Sequence, residues 1–169
     1  AEVVLSLGAL LADVPHTRPV RVTGSAMRPE LNDRYNLQPS KYEGPTGIVG
    51  VLHEALRTSD VASASLWANV PHYITTSQNP PATAALLRRV HPILGMEFDL
   101  AELETAGERF KAEVDTALSA NPEVGDYVRR LEEAFDADDQ PPPPGDLPQG
   151  EDLVTDIEKF LRSQRPEDE

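Results

Sequence analysis

Apolar and polar residues follow two rhythms along this chain. Val3-Val4-Leu5-Ser6-Leu7 is an almost continuous apolar run ending at Gly8, the pattern of a strand buried on both faces. Residues 13–19 carry two prolines and read as a loop, since proline cannot donate to a ladder. Val20-Arg21-Val22-Thr23-Gly24 alternates and predicts a second strand. Residues 25–42 are polar, with Pro29 and Pro39, and form a long excursion with one helical turn. A helix follows over 47–57, with Ile48, Val51, Leu52 and Leu56 on one stripe. Small residues over 62–70, closed by Pro71, predict a third strand. Asn79-Pro80 is a helix start, because Asn caps and Pro at the first position loses no needed donor. That helix runs to Leu94 with Gly95 as a left-handed stop.

The rhythm then changes. Asp99 and Glu102 suggest a capping box, and Leu100, Leu103, Phe110, Val114 and Leu118 make a helical seam. Asn121-Pro122 starts another helix, on which Val124, Val128, Leu131 and Phe135 share a face. This seam presents Leu103, Phe110, Val114, Leu118, Val128 and Leu131 as interface candidates. Four consecutive prolines lie within 136–150, which reads as a linker. Leu153, Ile157, Phe160 and Leu161 predict a last amphipathic helix over 151–163. Strands alternating with helices argue an α/β sheet with helices on its faces. The organisation expected is therefore 1–96 for the α/β part, 97–135 for a helical hairpin, 136–150 for a linker and 151–169 for a short helix and tail.

Charge sharpens that division. The chain of 169 residues has a net charge of -14. Residues 1–96 hold seven acids and eight bases, whereas 97–169 hold twenty-two acids and seven bases. So strong a negative balance disfavours nucleic acid and anionic lipid as partners. The absence of Cys excludes a disulfide scaffold and thiolate chemistry. No apolar run is long enough to span a bilayer, and no basic, apolar leader is evident, so a cytoplasmic location is expected.

The sharpest candidate chemistry is a repeated tripeptide. Val14-Pro15-His16 and Val70-Pro71-His72 each follow a predicted strand. Ligands of open α/β sheets sit beyond the carboxyl ends of strands, so His16 and His72 are expected to face one crevice, with Thr17, Arg18, Asn69 and Tyr73 beside them. One imidazole would be the general base in a catalytic reading. With no carboxylate or nucleophile at a diagnostic spacing, a structural or binding role is preferred, and no catalytic residue is assigned. Metal ligation by the pair is weaker still, and His53-Glu54 lacks a following His-Glu-x-x-His pattern. Glu43-Gly44-Pro45-Thr46-Gly47 could offer backbone donors to an anion, which adds Glu43 and Thr46 to the pocket candidates, although a packing turn is the simpler reading. Trp67, the single tryptophan, reads as core before interface anchor. No cofactor motif is present.

Several segments carry a family resemblance. The stretch from Leu7 through Asp13-Val14-Pro15-His16-Thr17-Arg18-Pro19 resembles the actinobacterial branch of the proteasome assembly chaperone family, second-chaperone type. So do Tyr42-Glu43-Gly44-Pro45-Thr46-Gly47-Ile48, Ser65-Leu66-Trp67-Ala68-Asn69-Val70-Pro71-His72-Tyr73, Asn79-Pro80, and Tyr127-Val128-Arg129-Arg130-Leu131-Glu132. The resemblance implies a three-layer αβα sandwich related to the nucleoside phosphorylase type of fold. It also implies a non-enzymatic binding or assembly role, with a protein partner or a homo-oligomer; trimers and other closed rings fit a helical extension. Proteasome subunits enter as partners through the resemblance alone. A small-molecule protein or enzyme of nucleoside or nucleotide type, using the His16 and His72 loops, is the alternative. Family chains are longer, so this chain is expected to be a carboxyl-terminal portion whose sheet shows an open apolar border. Its last residues, Pro166-Glu167-Asp168-Glu169, lack the tyrosine that some assembly chaperones dock into proteasome pockets.

Overall fold

The computed structural model describes residues 3–37, 47–76, 78–119 and 122–137. Its strands are β1 (Val3–Ala12), β2 (Val22–Ala26) and β3 (Ala62–Pro71). Its helices are α1 (Pro29–Arg34), α2 (Ile48–Thr58), α3 (Pro80–Leu94), α4 (Ala101–Leu118) and α5 (Pro122–Asp136). The sheet order is β1-β3-β2. β1 runs parallel to β3, with Gly8 opposite Trp67 and Ala12 opposite Pro71. β2 is antiparallel to β3.

Alternation along the strands gives the sheet two faces. One face carries Leu5, Ala64 and Leu66, and α3 covers it. Leu37, Ala64, Leu66 and Val90 are the buried centre there, with Leu86 and Ile93 packed around them. α3 begins where the Asn79 side chain accepts the Ala82 N–H at 3.0 Å. It ends at Gly95, whose φ of 65° lies in the left-handed region. α4 lies along α3, with Gly107 against Pro81 and Glu104 bound by Arg88. The other face carries Ser6, Ser63 and Trp67, and α2 lies against it. Helices on both faces make the layered α/β architecture the sequence pattern predicts.

Several expectations are corrected. The first strand does not stop at Gly8 but continues to Ala12. Gly8 is there for space: a Cβ would fall 2.4 Å from the Trp67 ring, which crosses β1 at that point. Trp67 is accordingly half-buried between strands. The second strand is shifted to Val22–Ala26, because its pairing with β3 begins at Val22 opposite Ala68. Asp99 caps without a box: its carboxylate accepts the Ala101 N–H at 3.1 Å, and the residue in the cap position is Leu100, without a side-chain cap.

The largest correction concerns α2. Three of its four stripe residues do not face the sheet: Ile48 is 81% exposed and Val51 57%, with Leu52 also exposed, while Leu56 is half-buried. His53 faces the sheet instead. Its Nε2 meets Ser6 Oγ at 2.8 Å and its Nδ1 meets Ser63 Oγ at 2.9 Å. Ser63 is fully buried, so turning His53 outward would strand a hydroxyl without a partner, and that fixes the rotation of the helix. β1 pairs on one side only among the described residues, and Leu7 and Leu11 on it are exposed.

Candidate functional site

The parallel register that sets Ala12 beside Pro71 brings both Val-Pro-His segments to one end of the sheet. His16 and His72 stand edge-on to the Tyr73 ring, with centroids 5.8 and 5.7 Å away. His16 is buried. Its Nδ1 lies 2.8 Å from the Tyr73 hydroxyl, its backbone N–H donates to the same oxygen at 2.9 Å, and its Nε2 lies 2.9 Å from Asp115 Oδ1 on α4. One tautomer satisfies the whole row. Nε2–H donates to Asp115, and Tyr73 O–H donates to Nδ1. Burial pushes the Tyr73 phenol well above its ordinary range.

His72 is held otherwise. Its Nδ1 is 3.2 Å from Asp13 Oδ1, and its Nε2 is 3.5 Å from the Tyr127 hydroxyl of α5. Burial, with the Asp13 charge next in weight, pushes the Tyr127 phenol up to about 12. Tyr73, Tyr127, Val128 and Leu131 form a buried cluster, with Ile74, Leu118 and Val124 packed on it.

The rest of the first loop grips α5. Thr17 Oγ1 donates to Glu132. Arg18 donates to Glu132 at 3.1 Å and, as a fork, to Asp136 at 2.8 and 2.6 Å. That bond holds the Asp136 carboxyl below its ordinary value. Arg21 donates to the Phe135 carbonyl and lies 3.9 Å above its ring.

The structure thus gathers His16, Thr17, Arg18, Asn69, His72 and Tyr73 at one place. Glu43 and Thr46 lie outside the described residues, as do the expected linker from 138 onward and the helix over 151–163. Of the seam residues, Val128 and Leu131 are buried within the chain against Tyr73, with Leu118 at their margin. Leu103, Phe110 and Val114 are half-buried on α4. Sequence reasoning missed Asp13, Asp115, Tyr127, Glu132 and Asp136. The usable signal was Glu132 and Asp136, one turn apart next to Val128 and Leu131, facing a His-Thr-Arg loop.

A row of carboxylate, imidazole and phenol resembles a general-base arrangement, but both ring nitrogens of His16 and the Tyr73 hydroxyl are engaged within the chain. The space left beside His16 is about 10 Å³, lined also by Arg18, Arg21, Asn69 and Phe110, which admits at most one water. Asn69 Oδ1 is buried nearby without a hydrogen-bond partner among the described residues. An open groove of about 550 Å³ between α3 and α4 has Arg88 bound to Glu104 and Lys111 bound to Glu108. Among the described residues no group of three or more His or acidic side chains could hold a metal ion. No described helix is long and apolar enough to cross a membrane.

Fold and site together define a layered α/β domain whose strand-end crevice is filled by its own helices. The chain belongs to the PAC2 family, whose model matches residues 1–118. A PAC2 family protein from Streptomyces avermitilis is 46% identical, with a TM-score of 0.66 over 75% of this chain and 53% of that one. A Mycobacterium tuberculosis proteasome-assembly chaperone homologue is 43% identical, with a TM-score of 0.66 over 75% and 54%. A Mycobacterium tuberculosis protein of unknown function is 26% identical, with a TM-score of 0.71 over 95% and 49%. The chain spans about half the length of these solved relatives. The search of curated proteins gave no match.

Proposed function

We propose that this chain belongs to a non-enzymatic binding protein of the assembly-chaperone type, acting through protein-protein contacts. The observation that carries the reading is the closed strand-end crevice. His16, Tyr73 and Tyr127 are buried and paired, His72 is half-buried and paired, and α4 and α5 lie over them, with room for one water beside His16. Membership in the PAC2 family supports it. So does the 43% identity to a protein described as a proteasome-assembly chaperone homologue. The partners are then proteasome α subunits or further copies of the same protein. Apolar residues left exposed on α2 and β1 supply contact surface. The helices over 97–135 act as an acidic extension of the α/β part, and the location is cytoplasmic.

The test is light scattering on the intact protein, alone and mixed with purified 20S proteasome α subunits. A closed oligomer, or a stable complex with the subunits, is the expected result. A strict monomer that binds no subunit, yet shows a saturable thermal shift with nucleosides or nucleotides that His72→Ala abolishes, would reverse it.

A further inference from the structure

Asn69 stands near the end of β3, where hydrogen-bond donors are scarce. Its Oδ1 is buried and accepts no hydrogen bond among the described residues. Such an oxygen has given up its hydration without return, and folded proteins leave few of them. The cavity beside it is walled in part by Pro15, Pro19, Pro71 and Pro81, none of which has an N–H to offer. The side-chain donors that line it are engaged elsewhere. Arg18 is forked on Asp136, Arg21 donates to the Phe135 carbonyl, and the ring nitrogens of His16 meet Tyr73 and Asp115. The Asn69 backbone N–H is spent on the Arg21 carbonyl at 2.9 Å.

The room left is about 10 Å³, the space of one water and of nothing larger. Asn79 lines the same cavity. Its Oδ1 accepts the Ala82 N–H at 3.0 Å, whereas its side-chain N–H group has no partner among the described residues. A water there meets a free acceptor and a free donor, the two polar partners that a buried water needs.

We propose that this cavity is the binding site of a single structural water, which donates to Asn69 Oδ1 and accepts from the Asn79 side-chain N–H. The water ties the end of β3 to the cap of α3. It also fixes the sense of the Asn79 amide: with the nitrogen held by the water, the oxygen is left facing Ala82. Asn69 is thereby a positioning residue for the start of α3. The inference does not rest on the assembly role, and its failure would leave that reading as it stands.

The test is NMR on the intact, isotope-labelled protein. Water-selective NOE and ROE spectra are expected to show a cross-peak from water to the Asn79 side-chain amide, with the signs of a long-lived bound water rather than of surface water or proton exchange. Asn69→Leu keeps the volume and removes the acceptor. In that variant the cross-peak is expected to vanish, and the number of long-lived waters counted by magnetic relaxation dispersion falls by one. Hydrogen exchange of the Ala82 amide should rise several-fold there while the middle of β3 stays protected. Should Asn69→Leu fail to fold, the spectra of the parent protein decide alone. No water cross-peak at Asn79 in the parent, an unchanged water count in folded Asn69→Leu, or unchanged Ala82 exchange in that variant would each overturn the proposal.

Discussion

The middle of β3 and its carboxyl end are held by opposite chemistry. On the α3 face at Leu66 nothing polar is asked of the side chains; Leu66 is fully buried among Leu37, Ala64 and Val90. From Asn69 to Tyr73 the strand end and the residues after it enter a nest of imidazole, phenol and carboxylate groups, where directional contacts stand beside the Tyr73 cluster. Apolar packing tolerates small shifts, whereas a buried polar row fails when one member is lost. The first region therefore sets how stable the fold is, and the second sets where α4 and α5 lie on it.

Leu66→Ala gives the largest expected effect. It removes a fully buried side chain from the centre of the α3 face, and it should cost about 3–4 kcal/mol in urea unfolding, cavity included. Tyr73→Phe comes next. It keeps the ring but leaves the His16 backbone N–H and ring Nδ1 without partners, a cost of about 1–3 kcal/mol. Its signature is local: hydrogen exchange in the 14–18 loop and in α5 should rise while the middle of β3 stays protected. If both variants instead loosened the whole chain equally, the division between the two regions would be wrong.

How far the sequence foretold each region follows from the range of its interactions. The strands and α3 were legible because their signals are local. Asn79-Pro80 starts a helix and Gly95 stops it without reference to any distant residue. The meeting of the two Val-Pro-His segments was legible too, since each follows a strand and the strands are parallel neighbours. The partners of those segments were not. Asp115 is 99 residues from His16, Glu132 is 115 from Thr17, and Asp136 is 118 from Arg18. Only docking of the helices reveals them. α2 misled for the same reason. Its periodicity named the apolar stripe, but Ser6, 47 residues from His53, and Ser63 on the next strand decide which side turns inward.

Alkali sharpens the comparison at the carboxyl end. The unfolded chain releases the Tyr127 proton near pH 10, whereas the folded chain keeps it to about 12. Between these values the unfolded state binds fewer protons, so stability falls as pH rises. The urea midpoint should therefore drop from pH 10 to 12, with the Tyr73 phenol, raised in the same direction, adding to the slope. Tyr127→Phe should have a shallower pH dependence than the parent across this range. An identical profile in both proteins would mean that the α5 face is wet.

The smallest effect is predicted where apolar residues are most abundant on one stripe. Ile48 on α2 is 81% exposed, so Ile48→Ser removes almost no buried area and should change stability by no more than about 0.5 kcal/mol. A helix rotated to bury its stripe would instead lose about 1.5–3 kcal/mol with that side chain, so one urea titration separates the two orientations. The same variant also tests what the exposed stripe is for. Ile48, Val51 and Leu52 make a contiguous apolar strip that water disfavours, and His53 prevents the helix from turning it inward. A fold that spends its one α2 histidine on two buried serines leaves that strip for another surface to cover. Ile48→Ser should therefore weaken self-association, read by light scattering against concentration, while leaving the urea midpoint in place. Loss of stability with unchanged association would place the stripe inside the fold and return α2 to the orientation its periodicity suggests.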